Sequence, residues 1–214
     1  MKTVLEYITE AIQRLPREER GIIVFDIDDT LIKANSKMIK VIKHPNGDKS
    51  QKIYLSSEEY AQDPDVPAHK DWFDFSEFNN PIKVMQSIIH GTPILNNLKI
   101  LDAYIKAGYE FCFLTARGCE DVVKYAIQTT IKHRDADGIL KDITPHFNKK
   151  FSAAVNDSVK AYKGSNDPEK KANVLRNLCR EFDKVVFVDD DHKNVASAKS
   201  LKLNNLKVIQ AWKE

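Results

Sequence analysis

The chain has 214 residues, 42% of them hydrophobic and 30% charged, with a formal net charge of +2. That length suits one core domain carrying an insertion, and the apolar share is enough for a packed core. The near balance of charge gives no global field toward nucleic acid or membrane, no stretch approaches the roughly 20 apolar residues of a membrane span, and Met1 to Pro16 lacks the apolar centre of a signal peptide.

The three cysteines, Cys112, Cys119 and Cys179, are odd in number and lack metal-ligand spacing. Cys112 lies in the apolar run Phe111-Cys112-Phe113-Leu114, where a buried structural thiol is expected. A reduced, cytoplasmic protein without disulfides follows as an expectation.

From the N-terminus, Val4, Ile8, Ile12 and Leu15 recur at helical spacing, which predicts a helix over 3–15 that Pro16 stops. Ile22-Ile23-Val24-Phe25-Asp26-Ile27-Asp28-Asp29-Thr30 then reads as a buried strand over 22–27 that closes on carboxylates. Strand side chains alternate, so Asp26 and Asp28 are expected on one side. Two carboxylates there repel, and a divalent cation or a shared proton would make the pair worthwhile.

The texture changes over 34–91. Lys37 to Tyr54 predicts two strands around the turn Pro45-Asn46-Gly47-Asp48. An acidic, aromatic stretch runs from there through Trp72-Phe73-Asp74-Phe75. This segment reads as a cap inserted into a core made of 1–33 and 92–214. Residues 33–52 hold six lysines, Lys40, Lys43 and Lys49 among them, against one acid, whereas 58–77 hold seven acids against one lysine. A lysine-rich hairpin of that kind would steer a polyanionic substrate, although a solvated charged face has the same composition.

Core texture resumes with Thr92 as a predicted N-cap and Pro93 at the first helical position. Ile94, Leu98, Leu101 and Ile105 form one apolar face, and Gly108 closes the helix. A strand over 109–114 ends in Thr115-Ala116-Arg117, and a helix over 119–133 and a strand near 151–155 follow. Asp167-Pro168 opens a helix with Val174, Leu175, Leu178 and Phe182 inward. The strand Val185-Val186-Phe187-Val188 runs into Asp189-Asp190-Asp191, and a helix over 194–203 and a strand over 206–211 complete the chain. Apolar strands alternating with helices predict an α/β fold, a parallel sheet between two helical layers.

In such a sheet, sites form beyond the carboxyl ends of the strands. Three strands here end in polar chemistry: Asp26 and Asp28, Thr115, and Asp189 with Asp190. A lone acidic turn is common, but the agreement of three strand ends points to one site.

This constellation resembles the haloacid dehalogenase superfamily of aspartate-nucleophile phosphohydrolases. Asp26-Ile27-Asp28-Asp29-Thr30 looks like its first motif and Leu114-Thr115-Ala116-Arg117 like its second. Phe187-Val188-Asp189-Asp190 looks like the fourth, with Asn194 in a frequent register after it. The third motif supplies a lysine, for which Lys171 is preferred over Lys170 and Lys163. The resemblance implies a three-layer Rossmann-like core with a small inserted cap, and a Mg²⁺-dependent phosphatase acting on phosphate monoesters. It casts Asp26 as nucleophile, Asp28 as general acid and base, and Thr115 and Lys171 as clamps on the phosphoryl group. Thr30 and Arg117 would assist at the substrate. Asp26, Asp28 (through its carbonyl), Asp189 and Asp190 would serve the metal. Capped proteins of this superfamily with this arrangement resemble small phage-type phosphatases, some of which act on nucleotide or polynucleotide ends. A small phosphorylated substrate or a nucleic-acid end is therefore the implied partner, with no membrane. The alternatives are a phosphomutase on the same fold and a non-catalytic receiver-type phosphoacceptor or binding domain. A kinase of the G-x-x-x-x-G-K-[ST] type has no such motif to rest on.

Overall fold

The computed structural model describes residues 19–42, 50–133 and 151–212. The helix expected over 3–15 and the turn expected at 45–48 lie outside them. In chain order the strands and helices begin with β1 (Gly21–Phe25), β2 (Ile32–Lys33), β3 (Met38–Ile42) and β4 (Gln51–Leu55). Then come α1 (Ser57–Gln62), β5 (Phe73–Asp74), α2 (Ser76–Asn79), α3 (Pro81–Ile89), β6 (Thr92–Pro93), α4 (Leu95–Lys106) and β7 (Glu110–Thr115). The rest are α5 (Glu120–His133), β8 (Ala153–Ala154), α6 (Asp167–Glu181), β9 (Lys184–Asp189), α7 (His192–Ser200) and β10 (Leu206–Gln210).

Five strands form one parallel sheet in the order β10-β9-β1-β7-β8. β1 is its centre, and every residue of Gly-Ile-Ile-Val-Phe is buried, as a strand covered on both faces requires. Gly21 is needed at its start, because a Cβ there would meet the Tyr109 ring at 2.6 Å. The period of two sorts the core into two layers. Ile23, Phe25, Phe111, Phe113, Val186 and Val188 face Val84 and Ile88 of α3, Leu98 and Leu101 of α4, and Val123 and Ile127 of α5. Ile22, Val24, Cys112, Leu114, Val185 and Phe187 face Leu175 and Leu178 of α6 and Ala198 of α7. The fold is thus the expected α/β arrangement of a parallel sheet flanked by helices. From β1 the chain builds outward to β7 and β8, then crosses to β9 on the other side of β1. Strand order reverses between β1 and β9, the switch point at which sites of such sheets form.

The start of α4 differs from the expectation. Thr92 and Pro93 do not cap it. They pair antiparallel with Lys33 and Ile32, and the helix begins at Leu95 after Ile94, with no side-chain cap. Ile94 N donates to Leu31 O at 3.1 Å. That tie to the chain after β1 outweighs the local cap signal, while Ile94, Leu98 and Leu101 keep their inward face.

The β2–β6 ladder gathers the two ends of the inserted segment. β3 lies between β4 and β5 in a three-stranded antiparallel sheet, with Met38 opposite Leu55. Met38, Leu55 and Phe73 form a separate small cluster with Tyr60, Trp72 and Phe78. The last helix of the segment, α3, belongs elsewhere: Asn80 accepts from Ile82 N and Lys83 N to cap it, and its Val84 and Ile88 pack into the main core. Lys40 also departs from a solvated, steering role. It is 8% exposed, and its Nζ meets Asp63 at 2.8 Å and Asp65 at 2.6 Å. Lys43 and Lys49 lie outside the described residues.

Candidate active site

β1 ends at Phe25, two residues earlier than expected, so strand alternation does not carry through to Asp28. The Ile27 carbonyl accepts from the N–H groups of Thr30, Leu31 and Ile32, and Asp29 adopts a left-handed conformation with φ 56°. This tight turn gives the two aspartates different partners. Asp26, 5% exposed, accepts from Lys171 Nζ at 2.7 Å. Asp28 pairs with Arg117.

Lys171 comes from the first turns of α6. Asn166 caps that helix by accepting from Glu169 N, and Pro168 stands in its first turn. The lysine is 2% exposed and also donates to Asp189 Oδ2 at 2.9 Å, bridging the ends of β1 and β9. Of the other two lysines considered, Lys170 donates to Asn156 Oδ1 at 2.7 Å, and Lys163 accepts through its carbonyl from Asn173 Nδ2. Asp189 is fully buried; it accepts from Asn194 Nδ2 at 3.1 and 3.0 Å and from Asp191 N at 2.8 Å. Asp191 is itself the N-cap of α7, accepting from Lys193 N.

Thr30 is fully buried. Its hydroxyl lies 3.0 Å from Asp190 Oδ1 and 3.4 Å from Asp26 Oδ2, and it accepts from Asp190 N at 2.9 Å. The structure thus brings Thr30 to the acids, where it orients Asp190. Thr115, also buried, ends β7 beside β1, and its Oγ1 accepts from Arg117 N at 3.3 Å. That bond uses a lone pair of the hydroxyl and is compatible with donation of its proton. Arg117 is fully buried and directed at Asp28 and two serines.

The electrostatics follow from burial. The Asp26 carboxyl is pushed well above the usual range by desolvation, with Lys171 opposing and Asp189, Asp28 and Asp190 adding repulsion. For Lys171, burial pulls the ammonium down, but Asp189 and Asp26 more than offset it and hold it above the ordinary lysine range. Four carboxylates, Asp26, Asp28, Asp189 and Asp190, therefore face two cations, Lys171 and Arg117. Counted with every group ionised, the surplus is two negative charges, which a divalent cation or bound protons would balance.

Among the described residues, Asp26, Asp189 and Asp190 offer one carboxylate oxygen each, all within 4.8 Å of one another. Asn194 Oδ1, bonded through its other arm to Asp189, is buried with no partner among the described residues. A leftover buried acceptor beside hard oxygen donors suits a site completed by a hydrated cation. The donor set fits Mg²⁺.

Several supporting residues escape the sequence reading. Asn97, fully buried on α4, donates to Thr30 O at 2.7 Å and Trp212 O at 3.1 Å and accepts from Trp212 N, fastening the turn after β1 to the chain end beyond β10. Gln210 Nε2 donates to Asp190 O at 2.6 Å. Glu120, 2% exposed at the start of α5, accepts from Lys124, Lys160 and Tyr162. A polar residue on an apolar helix face, such as Asn97 beside Leu98 and Leu101, is the one signal that could have exposed such a staple. No helix among the described residues is long and apolar enough to cross a membrane. No protein-family model matches the chain, and no curated protein matches it.

Proposed function

We propose that this chain is a Mg²⁺-dependent phosphohydrolase of the haloacid dehalogenase type, cleaving a phosphate monoester through an aspartyl-phosphate on Asp26. The observation that carries the reading is the buried bridge Asp26–Lys171–Asp189, set with Asp190 at the switch point of a parallel sheet. A phosphate ester resists an anionic nucleophile because its own oxygens are negative. Asp26 and Asp189 would hold the metal, with Asp190 behind them and the Asp28 carbonyl as a further donor. The chemistry that Mg²⁺ supplies when bound is neutralisation of that phosphoryl charge.

The chain's own groups do the rest. Asp26 attacks phosphorus, forming a carboxyl O–P bond as the ester O–P bond breaks, and Asp28, which enters the step as the carboxylic acid, gives its proton to the departing oxygen. Asp28 then takes a proton from water, whose oxygen attacks phosphorus. The acyl phosphate breaks, inorganic phosphate leaves, and the Asp26 carboxylate is restored. Lys171 keeps Asp26 oriented and presents its ammonium to the phosphoryl oxygens, to which Thr115 donates its hydroxyl proton. The inserted segment would act as a cap over the site and select the substrate, with a nucleotide or polynucleotide end as the favoured class. Three unpaired cysteines fit a reduced, cytoplasmic setting.

The test is hydrolysis of a chromogenic phosphate ester with and without Mg²⁺. Metal-dependent turnover that vanishes in Asp26→Asn is expected. Turnover indifferent to both changes would discard the reading.

A further inference from the structure

We propose that Arg117 is a positioning residue that fixes Asp28 for proton transfer, and that this fixing depends on the inserted segment being docked. The proposal rests on the phosphatase reading above.

Asp28 lies beyond the end of β1, its side chain 23% exposed, so the sheet itself does not hold it. Arg117 does. Its Nε donates to Asp28 Oδ2 at 2.9 Å and its Nη2 to Oδ1 at 2.6 Å, the two parallel bonds that a planar guanidinium makes with a carboxylate. A lysine could not reproduce them. Nη2 also donates to Ser36 Oγ at 2.9 Å and Nη1 to Ser87 Oγ at 3.0 Å, and the guanidinium carbon stands 5.2 Å from the Phe78 ring centre. Full burial and this set of partners direct the guanidinium at Asp28.

Ser36, Phe78 and Ser87 all lie between β2 and β6. Ser36 stands at the entry of the inserted segment and Phe78 in α2, while Ser87 is on α3, the helix of that segment that packs into the main core. The backbone repeats the connection: Gly118 N donates to Phe78 O at 3.1 Å, and a Cβ on Gly118 would sit 2.6 Å from Asn79 Oδ1. The inserted segment therefore rests directly on the loop after Thr115 and sets the guanidinium that sets Asp28. A group that must reach a leaving oxygen within hydrogen-bond distance gains from such fixing, and a misplacement of about 1 Å can cost 10²-fold in rate.

Leaving-group dependence tests this, because an alkoxide needs a proton to depart and dinitrophenolate does not. The full chain with Mg²⁺ is assayed on an alkyl phosphate and on dinitrophenyl phosphate. Arg117→Lys is expected to lose at least about tenfold more activity on the alkyl ester than on the dinitrophenyl ester. The double variant Ser36→Ala with Ser87→Ala should shift the same ratio in the same direction by less. In an Asp28→Asn background, Arg117→Lys should leave the ratio unchanged. Equal losses on both esters, or a ratio shift that survives in the Asp28→Asn background, would overturn the proposal. Should Arg117→Lys not fold, an unchanged ratio in the serine variant overturns it. A wild type that hydrolyses neither ester removes the phosphatase reading and this proposal with it, whereas equal losses in an active enzyme remove the proposal alone.

Discussion

Among the described residues, two buried lysines stand between paired carboxylates, one in the inserted sheet and one at the strand ends. Lys40 in the inserted sheet meets Asp63 and Asp65, and the Asp65 side chain is 36% exposed, so water disperses the leftover charge. Lys171 meets Asp26 and Asp189, both sealed from solvent, with Asp28 and Asp190 close enough to raise the Asp26 carboxyl further. The first trio ties β3 to the residues that follow α1. The second crowds negative charge where burial makes it costly, and the raised Asp26 carboxyl reflects that cost.

The comparison breaks if removing charge affects both trios alike. Asp26→Asn should lower turnover by about three orders of magnitude or more, equivalent to about 4 kcal/mol of barrier. Steady-state rates at saturating Mg²⁺ check this, and a variant keeping a tenth of the rate would take Asp26 out of the attack. Next in size, Asp189→Asn should raise the Mg²⁺ concentration for half-maximal activity by more than the roughly tenfold that loss of an outer-shell partner brings. An unchanged metal titration would move the ligand to Asp190 or Asp191.

Glu120 sharpens the contrast as a buried acid with enough partners. Burial alone would raise its carboxyl, but bonds from Lys124, Lys160 and Tyr162 prevail and hold it below the usual range. A lowered folded value means that its contribution is complete above the unfolded value and is lost as pH falls through the lowered one. Glu120→Gln should therefore cost about 2 kcal/mol at neutral pH, with the difference from wild type shrinking in acid. Urea unfolding at both pH values measures it; a cost independent of pH would assign the effect to packing. The smallest change in catalysis is expected for Lys40→Met, which should lower the unfolding midpoint yet barely alter hydrolysis of a small activated ester. A large loss of that activity would make the inserted trio part of the chemistry.

What the sequence revealed follows from what it repeats. β-branched runs that end in acids mark Asp26 and Asp189, because a buried parallel strand needs continuous apolar residues and its end does not. Lys171 was chosen only through the family resemblance, and its ammonium lies against Asp26 and Asp189. Lys40 was misread from local charge density, although it shares a strand face with Met38, two residues away, and a period of two would have turned it inward. Thr92 and Pro93 carry a helix-start signal that long-range pairing with Ile32 and Lys33 overrides. Ser36 and Ser87 left no mark, since their partner stands 81 and 30 residues away and no periodicity encodes them.

The proposed mechanism turns on a covalent bond between Asp26 and phosphorus, and acid-quenched single turnover reads it directly. Trypsin cleavage after Arg20 and Lys33 isolates residues 21–33, which hold Asp26, Asp28 and Asp29. Mass spectrometry of that peptide, quenched during turnover of a phosphate ester with Mg²⁺, should show one added phosphoryl group on Asp26 that is absent from Asp26→Asn. Full turnover with no phosphoryl on the peptide, or with the group on Asp28 or Asp29, would contradict the account.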